Sequence, residues 1–303
     1  MYFKKLWARL DLNRRNTEAN PLMELFSQYL LKIDEALSRE LDLYSWSEFY
    51  APLRYACDGG KRIRPLILLL SAESIKAKTV GHVNVTENDN AFMAASAIEL
   101  LHTESVIHDD IIDEENLRRG KPSFHIKYGY NNSILTADFV LGIILNIGSK
   151  LQDSRVSREL SRAAIKMTEG EIMEIKLGKN SKIEEDDYIK VLEHKTGSLF
   201  EASAKIGAIL SDGMEDEIHA MATFGSLLGI AYQIHDDLMD WSNEDRLFNL
   251  LIKKNGQSRE FVERMEDLYL SYSTKAKNEL RKIRDTTPKR QLERLTDLAS
   301  LEF

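Results

Sequence analysis

The chain has 303 residues, of which 43% are hydrophobic and 30% charged, a composition typical of a folded globular protein rather than a disordered or membrane one. Its net charge of −8 argues against a nucleic-acid partner, which would need a basic surface. Only five prolines and 15 glycines interrupt the chain, which favours long helices over many short strands.

The spacing of apolar residues predicts helices over most of the chain. Apolar residues recur at helical spacing over residues 22–41. Pro65 suits an early helical position and predicts a helix from there to about Ala77. Polar residues 78–90 and charged residues 114–121 predict loops. Further helices are predicted over about residues 89–113, 132–151, 157–178, 183–210, 214–240 and 261–283.

The chain shows no sustained strand alternation, no internal repeat and no low-complexity linker. The prediction is one all-α domain of about ten helices spanning residues 1–303. A single cysteine, Cys57, excludes an internal disulfide framework and indicates a reducing compartment, so we expect a cytoplasmic protein.

No apolar stretch of 18 residues predicts a transmembrane helix, so no stable membrane insertion is expected. The N-terminal residues are basic and aromatic and do not resemble a signal peptide. They favour a first helix that packs its apolar side chains inward; contact with a membrane surface is the alternative. Those apolar side chains are Phe3, Leu6, Trp7 and Leu10.

A first acidic turn follows the apolar helix predicted over 89–113. Asp109 and Asp113 are four residues apart and lie on one helix face, with Asp110 beside them. Carboxylates placed so closely repel one another unless a cation lies between them.

A second acidic turn, Asp236, Asp237 and Asp240, has the same spacing and ends another apolar helix. Gly225 and Gly229 in that helix predict a closely packed neighbour. One such turn is a weak signal, but two copies on apolar helices indicate magnesium, which bridges oxygen ligands to phosphates.

Cations accompany the acids. Lys61, Arg62 and Arg64 follow two glycines just before a helix, where a loop can wrap a diphosphate. The alternative is an ordinary surface loop.

Three further cations lie near the acidic turns or within apolar sequence. Arg118 and Arg119 follow the first acidic turn, with Glu114 and Glu115 as alternative partners. Lys195 lies in an apolar helical stretch, where burial needs an anion, and Glu193 or Glu201 would be the local choice.

These segments together resemble the trans-isoprenyl diphosphate synthase family, an all-α fold with a central cavity. The matches cover about residues 50–240 and are, in order, 59–65 (Gly-Gly-Lys-Arg-Ile-Arg-Pro), 99–102 (Glu-Leu-Leu-His), 108–113 (His-Asp-Asp-Ile-Ile-Asp), 118–123 (Arg-Arg-Gly-Lys-Pro-Ser), Asp138, 195–200 (Lys-Thr-Gly-Ser-Leu-Phe) and 233–240 (Gln-Ile-His-Asp-Asp-Leu-Met-Asp).

The resemblance implies a prenyltransferase that joins isopentenyl diphosphate to an allylic diphosphate, in a homodimer. Isopentenyl diphosphate would be bound by Lys61, Arg64, His102 and Arg119. Three magnesium ions would be held by Asp109, Asp113 and Asp236, supported by Asp110, Asp237 and Asp240. The allylic diphosphate and its carbocation would meet Arg118, Lys195, Thr196 and Gln233.

Product length follows from the same resemblance, because the helix before Asp109 lines the family's tunnel. Glu104 and Ser105 lie one turn before Asp109, and Leu101 lies two turns before it. No aromatic plug stands at 104 or 105, which predicts products of about 20 to 25 carbons. A carboxylate at 104 needs a partner in an apolar tunnel, or faces a neighbouring helix instead.

The chain departs from the family pattern in three places, the first of which is Ala137 before Asp138, where the family has glycine. Glu171 stands where a neutral glutamine is expected. Residues 241–303 diverge, and the usual lysine after the second acidic turn has no clear counterpart; Arg246 and Lys253 are the candidates. Two other functions therefore stay open: a non-catalytic subunit of a heteromeric synthase, and a terpene cyclase, which would not need the loop at 59–65.

Overall fold

The computed structural model describes residues 21–77, 89–179, 183–239, 247–256 and 259–298, and helices make up most of these ranges. The helices are α1 Pro21–Asp42, α2 Tyr50–Cys57, α3 Ile63–Lys76, α4 Asp89–Ile112, α5 Phe124–Tyr128, α6 Tyr130–Lys150, α7 Ser154–Gly178, α8 Glu185–Leu192, α9 Ser198–Ile209, α10 Glu215–Met239, α11 Leu247–Lys254, α12 Arg259–Leu280 and α13 Thr287–Leu298. A π-helical turn, Glu193–Gly197, joins α8 to α9, and a two-stranded hairpin pairs Leu117–Arg118 (β1) with Lys121–Pro122 (β2).

The long predicted helices are confirmed to within about three residues at their ends. The short helices α2, α5, α11 and α13 were not predicted, nor was the hairpin. The segment predicted as one helix over 183–210 is interrupted by the π-helical turn. The N-terminal segment lies outside the described residues, as do residues 78–88 of the predicted 78–90 loop; residues 89 and 90 begin α4.

Helices α3, α4, α9 and α10 form the centre of the fold and are buried over most of their surface. They cross at short distances. At Gly225 of α10, a Cβ atom would lie 2.3 Å from the carbonyl oxygen of Phe200 in α9. The predicted close packing at this glycine is confirmed, because α10 reaches α9 only where no side chain intervenes.

Helix ends are set by local acids. The Asp153 carboxylate accepts the Arg155 N–H at 2.9 Å and begins α7. The Glu217 carboxylate accepts the Met214 N–H at 2.9 Å and begins α10. These caps fix the start of the two helices that face each other across the cavity described below.

Helix α6 packs one face on α4 and leaves the other exposed. Val140, Ile143 and Ile147 are buried, whereas Ile134 and Leu145 are more than half exposed. Among the described residues, one helix, α6, is long and apolar enough to cross a membrane by length and composition, a stretch that the sequence analysis did not identify; the core helix of a folded protein passes the same test.

Candidate active site

A cavity of about 1380 Å³ lies between α4, α7, the π-helical turn, α10 and α11, and the loop before α3 closes one side. It brings together nearly all of the predicted site residues. Those that line it are Lys61, Arg64, Leu101, His102, Glu104, Ser105, Asp109, Asp113, Arg118, Arg119, Lys195, Thr196, Gln233, Asp236 and Asp237. Asp240 lies outside the described residues.

The first acidic turn splits into two roles. Asp109 and Asp113 line the cavity. Asp110 is only 2% exposed, and one of its oxygens accepts hydrogen bonds from Nε and Nη2 of Arg118 at 2.8 and 2.5 Å. The structure therefore pairs Arg118 with Asp110 rather than with Glu114 or Glu115. It commits Asp110 to an ion pair behind the cavity wall, which does not favour its predicted role in supporting a metal.

In the second acidic turn, Asp236 and Asp237 both line the cavity but make different contacts. Asp236 lines the cavity and lies near Lys61. Both oxygens of Asp237 accept hydrogen bonds, one from Gln233 Nε2 at 2.9 Å and one from the Tyr188 hydroxyl at 2.7 Å. Burial and the nearby Asp237 raise the pKa of Tyr188 well above its usual value, so the phenol stays protonated and donates. Asp237 thus orients its neighbours.

The π-helical turn presents Lys195 and Thr196 to the cavity. Such turns insert one residue into a helix and re-aim the side chains around it. The Thr196 hydroxyl donates to the Gln233 amide oxygen at 3.1 Å. Because Gln233 Nε2 also donates to Asp237, a flipped amide would turn its oxygen toward that carboxylate, so the amide oxygen faces Thr196.

Lys195 is held by carboxylates from two helices. Its ammonium contacts Glu171, donates to Glu174 at 2.7 Å and lies 3.8 Å from Asp109 Oδ1. Burial lowers the pKa of Lys195, but the three carboxylates outweigh it and hold that pKa above its usual value. The local alternatives Glu193 and Glu201 are wrong; Glu201 pairs with Lys166 at 3.0 Å instead.

The three cations of the loop at 59–65 have different contacts. Arg62 also borders the cavity, but it binds Glu99 at 2.6 Å and Asp34 at 2.8 Å, so its charge is already paired within the fold. Lys61 and Arg64 line the cavity, where burial lowers the pKa of each.

The contacts of Arg64 favour the binding of an anion. Its guanidinium stacks 4.8 Å from the centre of the Phe200 ring. Its buried Nε–H has no hydrogen-bond acceptor within the described ranges. A buried donor without an acceptor is costly, which favours an anionic ligand at this position.

Arg119 and His102 line the cavity together with Lys61 and Arg64. Arg119 adopts a left-handed backbone conformation in the hairpin turn, and its side chain packs against Gly60 and donates to the Asp58 carbonyl at 3.3 Å. Burial and nearby arginines, Arg64 foremost, hold the pKa of His102 well below its usual value. The imidazole is therefore neutral at physiological pH.

The carboxylates of the cavity could hold magnesium if water and phosphate oxygens complete its coordination. Within the part of the chain that the structure describes, no three His, Cys, Asp or Glu side chains converge closely enough to hold an ion alone. Asp109 and Asp113 face the cavity from α4, and Asp236 faces it from α10. Ions that keep waters and share phosphate oxygens suit such a divided donor set. The Lys195 ammonium among three carboxylates shows that this wall attracts positive charge.

The predicted chain-length residues all face the cavity. Leu101 is buried, and Glu104 and Ser105 are half-buried. The Glu104 carboxylate lies 3.4 Å from His108 Nδ1, which supplies the partner that the sequence required. Burial, partly offset by His108, raises the pKa of Glu104. Apolar side chains of α7 and Leu141 of α6 also line the cavity.

Several cavity residues were not identified from sequence. Glu174, Tyr188 and Tyr232 line it, as do Leu247 and Phe248 of α11. Glu174 lies one turn after Glu171, a spacing that would have indicated it. Lys253, a candidate for the missing lysine, is exposed and is not among the described lining residues, and Arg246 lies outside the described ranges.

Comparisons with known proteins agree with this site. The polyprenyl synthetase family model matches residues 47–250. A geranylgeranyl diphosphate synthase of Methanosarcina mazei is 33% identical over 214 residues, or 69% of this chain and 63% of that protein, so the alignment spans less than two thirds of this relative. An octaprenyl diphosphate synthase of Haemophilus influenzae is 30% identical over 224 residues, covering 74% of this chain and 63% of the relative.

Solved structures align over a greater length. A geranylgeranyl pyrophosphate synthetase from Pyrococcus horikoshii superposes with a TM-score of 0.79 at 25% identity, covering 93% of this chain and 98% of that one. One from the archaeon Geoglobus acetivorans gives 0.77 at 27% identity, covering 89% and 98%. The all-α fold predicted from sequence is thereby confirmed.

Proposed function

The chain belongs to the polyprenyl synthetase family, and we propose that it is a trans-prenyltransferase that joins isopentenyl diphosphate to an allylic diphosphate. One observation carries the proposal. A single cavity combines carboxylates from two facing helices, a separate group of cations, and apolar side chains from α4, α6 and α7. Two anionic head groups and one growing hydrocarbon chain need these three regions.

The isopentenyl diphosphate would bind on the cationic side. Lys61, Arg64 and Arg119 supply positive charge, and the free Nε–H of Arg64 supplies a directed donor. His102 is neutral and offers one ring N–H without adding charge. These groups also argue against a terpene cyclase, which has no second diphosphate to bind.

The allylic diphosphate would bind between the acidic turns. Asp109, Asp113 and Asp236 would hold the three proposed magnesium ions, and bound magnesium neutralises the negative charge that develops on the leaving diphosphate. Lys195 donates to the same diphosphate. The oxygens of Thr196 and Gln233, which share a hydrogen bond at the cavity wall, would lie near the allylic carbon and stabilise its positive charge.

Condensation then needs shielding from water and removal of a proton. The allylic C1–O bond breaks, the isopentenyl double bond attacks C1 to form a new C–C bond, and a proton leaves the isopentenyl C2. The released diphosphate takes that proton. Apolar lining along α4 and α7 excludes water from the cation.

We propose products of about 20 to 25 carbons. No aromatic side chain blocks the cavity at Glu104 or Ser105, which disfavours the shortest products. The names of the related proteins range from geranylgeranyl to octaprenyl diphosphate synthase, so they leave this length to experiment.

We also propose a homodimer in the cytoplasm. The exposed face of α6 carries Tyr130, Ile134, Leu135, Leu141 and Leu145 at helical spacing, a stripe that a second copy would cover. Sedimentation of the wild type against Ile134→Glu tests this: the variant should sediment as a monomer. The buried, reduced thiol of Cys57 suits a reducing compartment.

The activity is tested directly. Purified protein is incubated with magnesium, isopentenyl diphosphate and, separately, five-, ten- and fifteen-carbon allylic diphosphates, and the products are sized. Elongation that a chelator abolishes is the expected result. A folded protein that elongates no primer would contradict the proposal and favour the non-catalytic subunit, which would bind diphosphates without joining them.

A further inference from the structure

We propose that Glu171 and Glu174 position Lys195, leaving one of its N–H donors directed at the allylic diphosphate. Glu171 is thus a positioning residue that acts as a hydrogen-bond acceptor, rather than an additional metal ligand. The inference rests on the proposed function, because it assigns how one substrate of that reaction is oriented.

The backbone of Lys195 is fixed first. It lies in the π-helical turn against Gly170 of α7, where a Cβ atom would stand 2.5 Å from the Lys195 nitrogen. This close approach places the lysine beside the α7 face that carries the two glutamates. Glu171 and Glu174 are three residues apart on that face and both line the cavity.

The ammonium is then tied to both glutamates. It contacts the Glu171 carboxylate and donates to Glu174 at 2.7 Å. An ammonium has three N–H donors. Two contacts along α7 therefore restrain a flexible side chain whose free rotation would otherwise cost binding entropy.

The remaining donor is available. Asp109 Oδ1 lies 3.8 Å from Nζ, which is within ion-pair range but longer than a hydrogen bond. The third N–H consequently faces the first acidic turn, where the allylic diphosphate is proposed to lie. Glu171 and Glu174 thus orient the donor, and Asp109 marks the direction in which it acts.

If Glu171 acts as a hydrogen-bond acceptor, the expected effects of two substitutions differ from those expected if its charge holds a metal ion. Glu171→Gln keeps an oxygen acceptor of nearly the same shape and removes the charge, whereas Glu171→Ala removes both. If Glu171 acts as an acceptor, the glutamine variant rescues function. If it holds a metal ion, glutamine fails as alanine does, and the magnesium requirement rises.

The experiment compares wild type, Glu171→Gln and Glu171→Ala by two measurements. The first is steady-state kinetics for each substrate and for magnesium. The second is calorimetric binding of an allylic thiolodiphosphate, which ionises slowly, in the presence of magnesium. Circular dichroism establishes that each variant is folded, and Glu174→Ala provides a second variant if Glu171→Ala does not fold.

We expect Glu171→Ala to lower kcat about 10- to 100-fold, because a misplaced donor loses transition-state contact, and to weaken thiolodiphosphate binding severalfold. Glu171→Gln should stay within about threefold of wild type, with unchanged KM for isopentenyl diphosphate and unchanged magnesium dependence. Equal losses in both variants with a raised magnesium requirement would overturn the inference, as would two variants indistinguishable from wild type. If the wild type does not elongate, the proposed function fails, and the binding measurement still decides the positioning role.

Discussion

Arg118 and Asp110 form a hydrogen-bonded ion pair in which two guanidinium nitrogens donate to one carboxylate oxygen, at 2.8 and 2.5 Å. The aspartate is buried and the arginine is about one third exposed. This pair ties the end of α4 to β1, and so places the hairpin that carries Arg119 beside the cavity.

The pair predicts that neighbouring aspartates of one motif have separate functions. Asp110→Ala should lower the free energy of unfolding by about 1 to 3 kcal/mol, because it leaves a partly buried arginine without its partner. Its magnesium requirement should stay close to wild type. Asp113→Ala is the matched control and should raise the magnesium requirement while unfolding near the wild-type urea concentration. Equal magnesium effects in the two variants would contradict the division.

The crossing of α9 and α10 predicts a strong effect at Gly225. Gly225→Ala places a methyl group 2.3 Å from the Phe200 carbonyl oxygen, and neither helix backbone moves cheaply. We expect a loss of at least about 2 kcal/mol in urea unfolding. At Gly178, the last residue of α7, a Cβ meets nothing within 4 Å. Gly178→Ala should therefore change stability by less than about 1 kcal/mol, and a comparable loss there would show that the crossing is not responsible.

Product length is expected to respond to residue 104. Glu104→Phe fills the cavity one turn below Asp109 and should shorten the main product by at least one five-carbon unit. Glu104→Gln keeps the size and should keep the length. Chromatography of the dephosphorylated products measures both. Unchanged length in the phenylalanine variant would place this side chain outside the path of the growing chain.

The perturbed pKa of His102 predicts a pH-dependent stability. Burial and the surrounding arginines lower the pKa of this imidazole in the folded state, so below about 6.5 the unfolded chain binds a proton that the folded chain does not. Above pH 6.5 this proton uptake does not destabilise the fold. Below pH 6.5 the free energy of unfolding falls by up to about 1.4 kcal/mol per pH unit.

Urea unfolding of wild type and His102→Gln at pH 7.5 and 5.5 tests the sign. Wild type should lose stability relative to the variant at the lower pH. Other titrating groups, including Glu171, whose pKa burial raises to about 6, are present in both proteins and cancel. A constant difference between the two proteins would mean that His102 titrates normally in the folded state.

Sequence periodicity was sufficient to predict the positions of the long helices and to place the two acidic turns at helix ends. Helices such as α4 and α10 bury apolar residues at every turn, so their positions follow from local pattern. The four short helices were missed because so few turns carry little periodic signal, and such helices depend on packing for their stability. Leu292 and Leu295 of α13, for example, are buried only because that helix packs on the rest of the core.

The resemblance of the motifs to the family also indicated which side chains would share one cavity. What they did not determine was which partner each charged group takes. Local partners were the alternatives considered for Arg118 and Lys195, and the structure has others: Arg118 binds Asp110, and Lys195 binds Glu171 and Glu174, 24 and 21 residues before it in the chain. Asp237 is likewise held by Tyr188, 49 residues away.

The sequence by itself therefore determined the helical fold, which follows from composition and period along one chain, and the resemblance of its motifs to the family indicated most of the residues that line the cavity. The tertiary structure alone decided which carboxylates face the cavity and which orient or support other residues. The physical reason is that an ion pair or hydrogen bond requires two groups within about 3 Å. For groups on different helices, that distance is set by how the helices pack.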